Sequence, residues 1–283
     1  MQKGVVPFVI GIGLFGIGTA LSTAAYVLTF GRSMDFSRRF IMRPLVNLAL
    51  RVYGIRVEID GYIWHRGPAF YLFNHHSNLD IFVIAALNLP HLRSFFSTER
   101  PKHAPMMWAA RSIGAFLVPP QYRHEARVGC FRHAERELMR TAESVIASPE
   151  GSRFTGGGVA PFNKGVFHLA VRLKYPVVPL LFEIPPEANA GASYFFRPST
   201  VRIRALDPIE TQGLSELDVA RVRDRAYQMY QVAMASRGIQ NRNSTSTTVA
   251  ERNIRSPDPC DPCDPCKPTG PTGPTDLRLI AQR

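Results

Sequence analysis

The chain has 283 residues, 45% of them hydrophobic, and carries 34 Lys/Arg against 22 Asp/Glu for a formal charge of +12. These values exclude a fully disordered chain and one too short to build a core; they suit one sizeable domain with appendages or two small domains. Of the cysteines only Cys130 lies in the body, and Cys260, Cys263 and Cys266 crowd into the tail, so there is no disulfide framework and the pattern fits a reducing compartment.

The charge is uneven. From Asn241 to Arg283 six Lys/Arg face five Asp/Glu, which leaves +11 on the first 240 residues. Such a surface attracts polyanions: nucleic acid, anionic lipid or phosphate-rich cofactors.

Val5 to Phe30 contains no charged residue over 26 positions. As a helix it spans ~39 Å, more than the ~20 residues a bilayer core needs. It is also longer than the apolar region of a signal peptide, so a retained membrane helix is expected. Only Lys3 precedes it, whereas Arg32, Arg38, Arg39, Arg43 and Arg51 follow, and the positive-inside rule then places the rest of the chain in the cytoplasm. Ile41 to Ile55 is broken by Arg43 and Arg51. It reads as an interfacial helix with snorkelling arginines or as a core helix of the following domain.

Ala69 to Phe73 is a buried-strand pattern, and Ile81 to Leu89 a helix stopped by Pro90. Ile113 to Val118 is strand-like and closed by Pro119 and Pro120. Apolar residues at 131, 134, 138, 142 and 145 mark an amphipathic helix. Strands are expected from Val145 and over Tyr175 to Phe182, and a helix over Ser215 to Ala235. Alternating strands and helices from about Ile55 to Arg237 imply an α/β domain. From residue 238 polar residues dominate, and Asp258 to Thr275 repeats proline every third residue, the pattern of a disordered, Pro-rich tail over 238–283.

The sharpest chemical signal is N-H-H-S-N-L-D, Asn74 to Asp80. Five residues apart, His75 and Asp80 fall on different faces of a regular helix and meet only if the chain turns between them. A strand ending at Asn74 and a helix starting near Ser77 or Asn78, with Ser77 as a natural N-cap, supply that turn. Asp80 then orients the imidazole and stabilises its protonated form, and the second ring nitrogen is free to deprotonate a hydroxyl. A second signal follows a strand: Pro149-Glu150-Gly151-Ser152-Arg153, then Phe162-Asn163-Lys164-Gly165 and Val178-Pro179. Gly151 permits close backbone approach and Arg153 offers a planar fork suited to phosphate.

In this order and spacing the blocks resemble the glycerolipid acyltransferase family, and within it the 1-acyl-sn-glycerol-3-phosphate (lysophosphatidic acid) acyltransferases. Asn74, His75, Ser77 and Asp80 match its N-H-x-S-x-x-D block, Pro149 to Arg153 its P-E-G-[TS]-R block, Phe162 and Gly165 its F-x-x-G segment, and Val178-Pro179 its V-P pair. The block between departs from the pattern: Gly114 to Val118 leads into Pro119-Pro120, where the family carries an Arg for the acceptor phosphate, with Arg123 or Arg127 as substitutes.

The resemblance implies a single mixed-sheet α/β acyltransferase domain over 55–237, flanked by helices and preceded by a membrane anchor and interfacial helix over 1–54. It implies direct transfer from acyl-CoA or acyl carrier protein to a lysolipid hydroxyl at the membrane, with His75 as base and Asp80 orienting it. Glu150, Gly151, Ser152, Arg153, Lys164 and Arg123 are the expected substrate-binding residues. No cofactor, metal or nucleic-acid partner is implied. Rival readings are a lysolipid acceptor without a terminal phosphate, a metal-dependent phosphoesterase built on His75, His76 and Asp80, and a non-catalytic basic membrane-binding protein.

Overall fold

The computed structural model describes residues 4–98, 104–154, 158–189 and 193–253. Helix α1 (Val5–Leu28) leads through a single turn, α2 (Met34–Phe36), and a π-helical stretch (Ser37–Met42) into α3 (Arg43–Tyr53). Gly54, at φ +70°, ends α3 in the left-handed conformation that an αL cap requires.

A seven-stranded sheet follows. Its strands are β1 (Ile55–Asp60), β2 (Phe70–Phe73), β3 (Leu92–Ser97), β4 (Phe116–Val118), β5 (Ser144–Ala147), β6 (Val177–Glu183) and β7 (Ser199–Ala205). They lie in the order β1-β7-β6-β2-β5-β3-β4, and only the β6–β7 pairing is antiparallel. The sheet is therefore mixed, as the resemblance implies. The other helices are α4 (Leu79–Ala86), α5 (Ala104–Ser112), α6 (His124–Thr141), α7 (Gly165–Leu173) and α8 (Val219–Asn253), the last entered through a 3₁₀ turn (Glu216–Asp218).

Alternation along the central strands sorts the core into two layers. Tyr71, Phe73, Val178, Leu180 and Phe182 pack with α3 and α4. Phe70, Leu72, Val177 and Leu181 face the other way, onto α6, α7 and α8. A four-residue strand such as β2, buried at every position, must be apolar throughout, which is why Phe70–Phe73 reads as a continuous run.

The residues of α1 explain how it sits. Gly11, Gly18 and Ser22 are buried. A Cβ on Gly11 would fall 2.3 Å from the Tyr53 ring and one on Gly18 2.9 Å from the Met42 sulfur, so the small residues let α1 approach the helix beside it. Phe8 stacks on Phe195 at 3.9 Å and Phe15 meets Phe82 at 5.6 Å, fastening α1 to the domain. The outer side exposes Val6, Val9, Ile10, Ile17, Leu21 and Leu28. The helix is long and apolar enough to cross a membrane. A buried ionic chain ties the π-helical stretch to the sheet: Arg38 Nη2 and Arg93 Nε each donate to Glu143 at 2.5 Å.

The sequence pattern finds β2, β5 and β6 within two residues of their observed limits; α4 starts two residues before and ends three before the expected Ile81–Leu89, and α6 starts seven residues before the expected 131–145. The pattern does not mark β1, β3, β7, α5 or α7. Helix α8 continues to Asn253, beyond the expected boundary at 237; no proline interrupts residues 238–253. The Pro/Cys repeat over 258–275 lies outside the described residues.

Candidate active site

Two neighbouring parallel strands deliver the two motif loops to one edge. Leu72 of β2 pairs with Ala147 of β5, and both strands end within a residue of that register. Beyond their C-terminal ends lie residues 74–78 and 148–154, the place where open α/β sheets bind ligands. Asn74 fixes the first loop: buried, its side chain donates to the Phe182 carbonyl at 2.9 Å and accepts the Phe182 N–H at 2.7 Å.

The chain then turns, as the His75–Asp80 spacing demands. His75 Nδ1 lies 2.6 Å from Asp80 Oδ2. The same oxygen accepts the N–H groups of His76 and Ser77, each at 3.1 Å. One carboxylate oxygen thus folds the turn and holds the ring. The ionised carboxylate is acceptor-only, so a neutral ring here has its proton on Nδ1 and its lone pair on Nε2. Asp80 is fully buried, whereas the His75 side chain keeps 25% of its surface exposed. Phe73 meets the imidazole edge-on at 5.8 Å. Ser77 Oγ accepts the Leu79 N–H at 3.0 Å, so it does satisfy the helix start, although the N-cap position itself belongs to Asn78.

The second loop closes against the first. Phe154 N–H donates to the His75 carbonyl at 2.9 Å, and His75 N–H donates to Glu150 Oε1 at 3.3 Å. Asn163 braces the loop, its side chain donating to the Pro149 and Glu150 carbonyls at 3.3 and 3.0 Å. Gly151 sits at φ +75° with Asn163 Nδ2 2.8 Å from where a Cβ would be, a position for glycine on both counts. Glu150 is turned inward and buried. Its Oε2 and Asp80 Oδ1 are buried polar atoms with no hydrogen-bond partner among the described residues.

Burial pushes the Glu150 carboxyl from its ordinary 4.5 up to about 8; the His75 and Ala160 amides oppose this and the Asp80 charge adds to it. The folded protein therefore holds a proton that the unfolded chain releases near 4.5, and stability falls as pH rises between those values, then levels off. Glu150→Gln, neutral and of the same shape, should remove that slope. Thermal unfolding followed by circular dichroism from about pH 5 to about pH 8 checks it: the variant's advantage should grow with pH.

The remaining expected residues are less convergent. Arg153 is half-buried beside Tyr194, whose hydroxyl it influences electrostatically. Ser152 is exposed on the loop, and Lys164 and Arg123 are exposed at the starts of α7 and α6. Arg127 donates to the Pro119 carbonyl at 2.8 Å, so it braces the second-block prolines. Sequence reasoning missed the β6–β7 loop. Ser77 Oγ donates to Asn189 Oδ1 at 2.8 Å, and Asn78 Nδ2 to the Ser193 carbonyl at 3.2 Å. No motif in that loop announces the contact. Among the described residues no three His, Cys, Asp or Glu side chains converge as metal ligands.

A family model described as Acyltransferase matches residues 54–183, the span holding both loops. Through these residues the chain is similar to the acyltransferase family. Relatives agree: 1-acyl-sn-glycerol-3-phosphate acyltransferase alpha of Homo sapiens is 29% identical over 202 residues, 69% of each chain. The Ovis aries protein of the same name is 28% identical, covering 69% of this chain and 68% of that one. The 1-acyl-sn-glycerol-3-phosphate acyltransferase of Limnanthes alba is 27% identical, covering 58% of each. The chain thus spans between 58% and 69% of these relatives' length. The crystal structure of the 1-acyl-sn-glycerophosphate (LPA) acyltransferase PlsC from Thermotoga maritima superposes with a TM-score of 0.60 over 83% of this chain and 98% of that one. At 19% identity that likeness establishes the fold. The matched span lies within the two-layered α/β unit just described.

Proposed function

We propose that this acyltransferase moves an acyl group from acyl-CoA or acyl carrier protein onto the free hydroxyl of a lysophospholipid, 1-acyl-sn-glycerol 3-phosphate giving phosphatidic acid. The observation that supports the mechanism is the 2.6 Å His75–Asp80 pair at the edge where both motif loops end. His75 Nε2 takes the proton of the acceptor hydroxyl as its oxygen attacks the thioester carbonyl. The tetrahedral intermediate collapses, the C–S bond breaks, and the leaving thiolate takes the proton back from the imidazolium. Asp80 stabilises that cation and keeps the ring in one tautomer. Both proposed donors are acidic, which suits the positive body.

Arg153 is the candidate for the acceptor phosphate. Arg153→Ala should raise the acceptor KM, at a loss of about 1.5–3 kcal/mol for a charged hydrogen bond, with a smaller change in kcat. Arg153→Lys should rescue in part, because a point charge lacks the planar fork. A second acceptor class is favoured by one feature: Pro119-Pro120 stand where the family's second-block Arg is expected, and Arg123 is exposed at the start of α6. Initial rates with a panel of lysolipids, with and without a terminal phosphate, separate the two. A preference for the phosphate-bearing acceptor supports the first reading; a preference for choline- or amine-headed lysolipids supports the second.

Membrane attachment through the outer side of α1, with the domain on the cytoplasmic face, belongs to the same reading. Its uncharged length and exposed apolar surface support it. Carbonate extraction should leave the chain in the membrane pellet; its release into the supernatant would refute the anchor.

A further inference from the structure

A groove of about 370 Å³ lies on the outer side of the π-helical stretch and α3, lined by Arg39, Arg43, Pro44, Asn47, Leu48 and Arg51. We propose that it is a second lipid site, holding the phosphate head group of an anionic bilayer phospholipid apart from the His75 centre. Arg39, Arg43, Asn47 and Arg51 recur every four residues or multiples of four, so they stand on one side of the helix. The opposite side, with Val46, Ala49, Leu50 and Tyr53, is committed to the core. The four are therefore held as a ridge on a fixed element, and no lining residue belongs to the catalytic turn or the 149–154 loop.

The charge balance of the groove asks for an anion. Among the described residues no acidic side chain lines it. Arg43 and Arg51 have no ion-pair or hydrogen-bond partner among the described residues, and Arg39 has only Asp35, at 3.7 Å, besides the Phe40 ring. Guanidinium forks of this kind take phosphate bidentately.

The surroundings choose a lipid over a soluble phosphate. The same segment exposes Phe36, Phe40 and Leu48, and neighbouring α1 exposes Val6, Val9, Ile10, Ile17 and Leu21. A free phosphate has no use for an apolar border; a glycerophospholipid has acyl chains that fill one. With the outer side of α1 set into a bilayer, long arginine stems carry their charges to the phosphate layer.

The test is co-sedimentation of the full chain with phosphatidylcholine vesicles, alone or mixed with phosphatidylglycerol. The wild type should bind the mixed vesicles more tightly, and R43E/R51E should lose ~10-fold or more of that affinity while binding the neutral vesicles as before. R221E/R225E makes the same change in net charge at exposed positions of α8, in the other core layer. It should lose no more than a few-fold. Inorganic phosphate, at an ionic strength matched with chloride, should not displace the wild type. Equal losses in the two variants would reduce the groove to general charge attraction and overturn the site, as would no loss in R43E/R51E. Displacement by inorganic phosphate would overturn the choice of a lipid. If R43E/R51E unfolds by circular dichroism, R43Q/R51Q against R221Q/R225Q carries the same comparison.

Discussion

His75→Ala should lower kcat by at least ~10²-fold and leave the acceptor KM nearly unchanged. The imidazole acts on the hydroxyl proton, and proton transfer belongs to the transition state rather than to binding. In the folded protein the ring is partly exposed and is hydrogen-bonded at Nδ1 to Asp80. Removing it leaves the Asp80 carboxylate with its two amide donors, His76 N and Ser77 N, so the turn itself should survive. His76 is the control within the turn. Its described link to Asp80 runs through the backbone N–H, which alanine keeps, so His76→Ala should stay within a few-fold of wild type. Steady-state kinetics on the three proteins, each checked by circular dichroism, measures the difference.

Asp80→Asn should cost a comparable ~10²–10⁴-fold in kcat, by a different route. The substitution keeps the shape, so the turn and helix α4 should persist. The His76 and Ser77 amides hold the asparagine carbonyl oxygen where Oδ2 now accepts, so the ring keeps its proton on Nδ1. What is lost is the charge: the cation formed during transfer no longer has a buried counter-charge. Asp80→Ala tests more than the chemistry, since it leaves the His76 and Ser77 amides without their acceptor at a buried position. The asparagine variant is therefore the informative one. A large loss in kcat with unchanged melting separates a role in the reaction from a role in folding.

What the sequence carried and what it did not divides along physical lines. The central strands β2, β5 and β6 are buried at every residue and so are written as short apolar runs. Strands β1 and β7 pair with each other toward one end of the sheet, and β1 is mostly exposed, so Ile55, Val57 and Ile59 alternate with Arg56, Glu58 and Asp60. That alternation is a strand signal, though a weaker one than an unbroken run. The turn from His75 to Asp80 was legible because five residues cannot face each other on a helix, and the N-cap chemistry of Ser77 supplied the bend. The doubled service of Asp80 Oδ2, to the ring and to two amides, was not legible, since backbone donors leave no mark in sequence. Asn189 was out of reach for a different reason: it lies 112 residues from Ser77 in a loop without a motif. Glu150 shows the limit of pattern alone. Its place in P-E-G-S-R suggests a group facing the substrate, yet the left-handed turn at Gly151 accompanies a side chain directed inward, to the His75 amide.

The fate of the acyl group decides the central claim. In a rapid-quench experiment, purified protein in detergent micelles meets acyl-labelled acyl-CoA and 1-acyl-sn-glycerol 3-phosphate, and label is followed in the lipid and in the precipitated protein. The account predicts that label passes directly into phosphatidic acid at a rate equal to turnover, that none becomes covalently bound to the chain, and that His75→Ala abolishes the transfer. A labelled protein formed and consumed fast enough to carry turnover, or full transfer by His75→Ala, would contradict it.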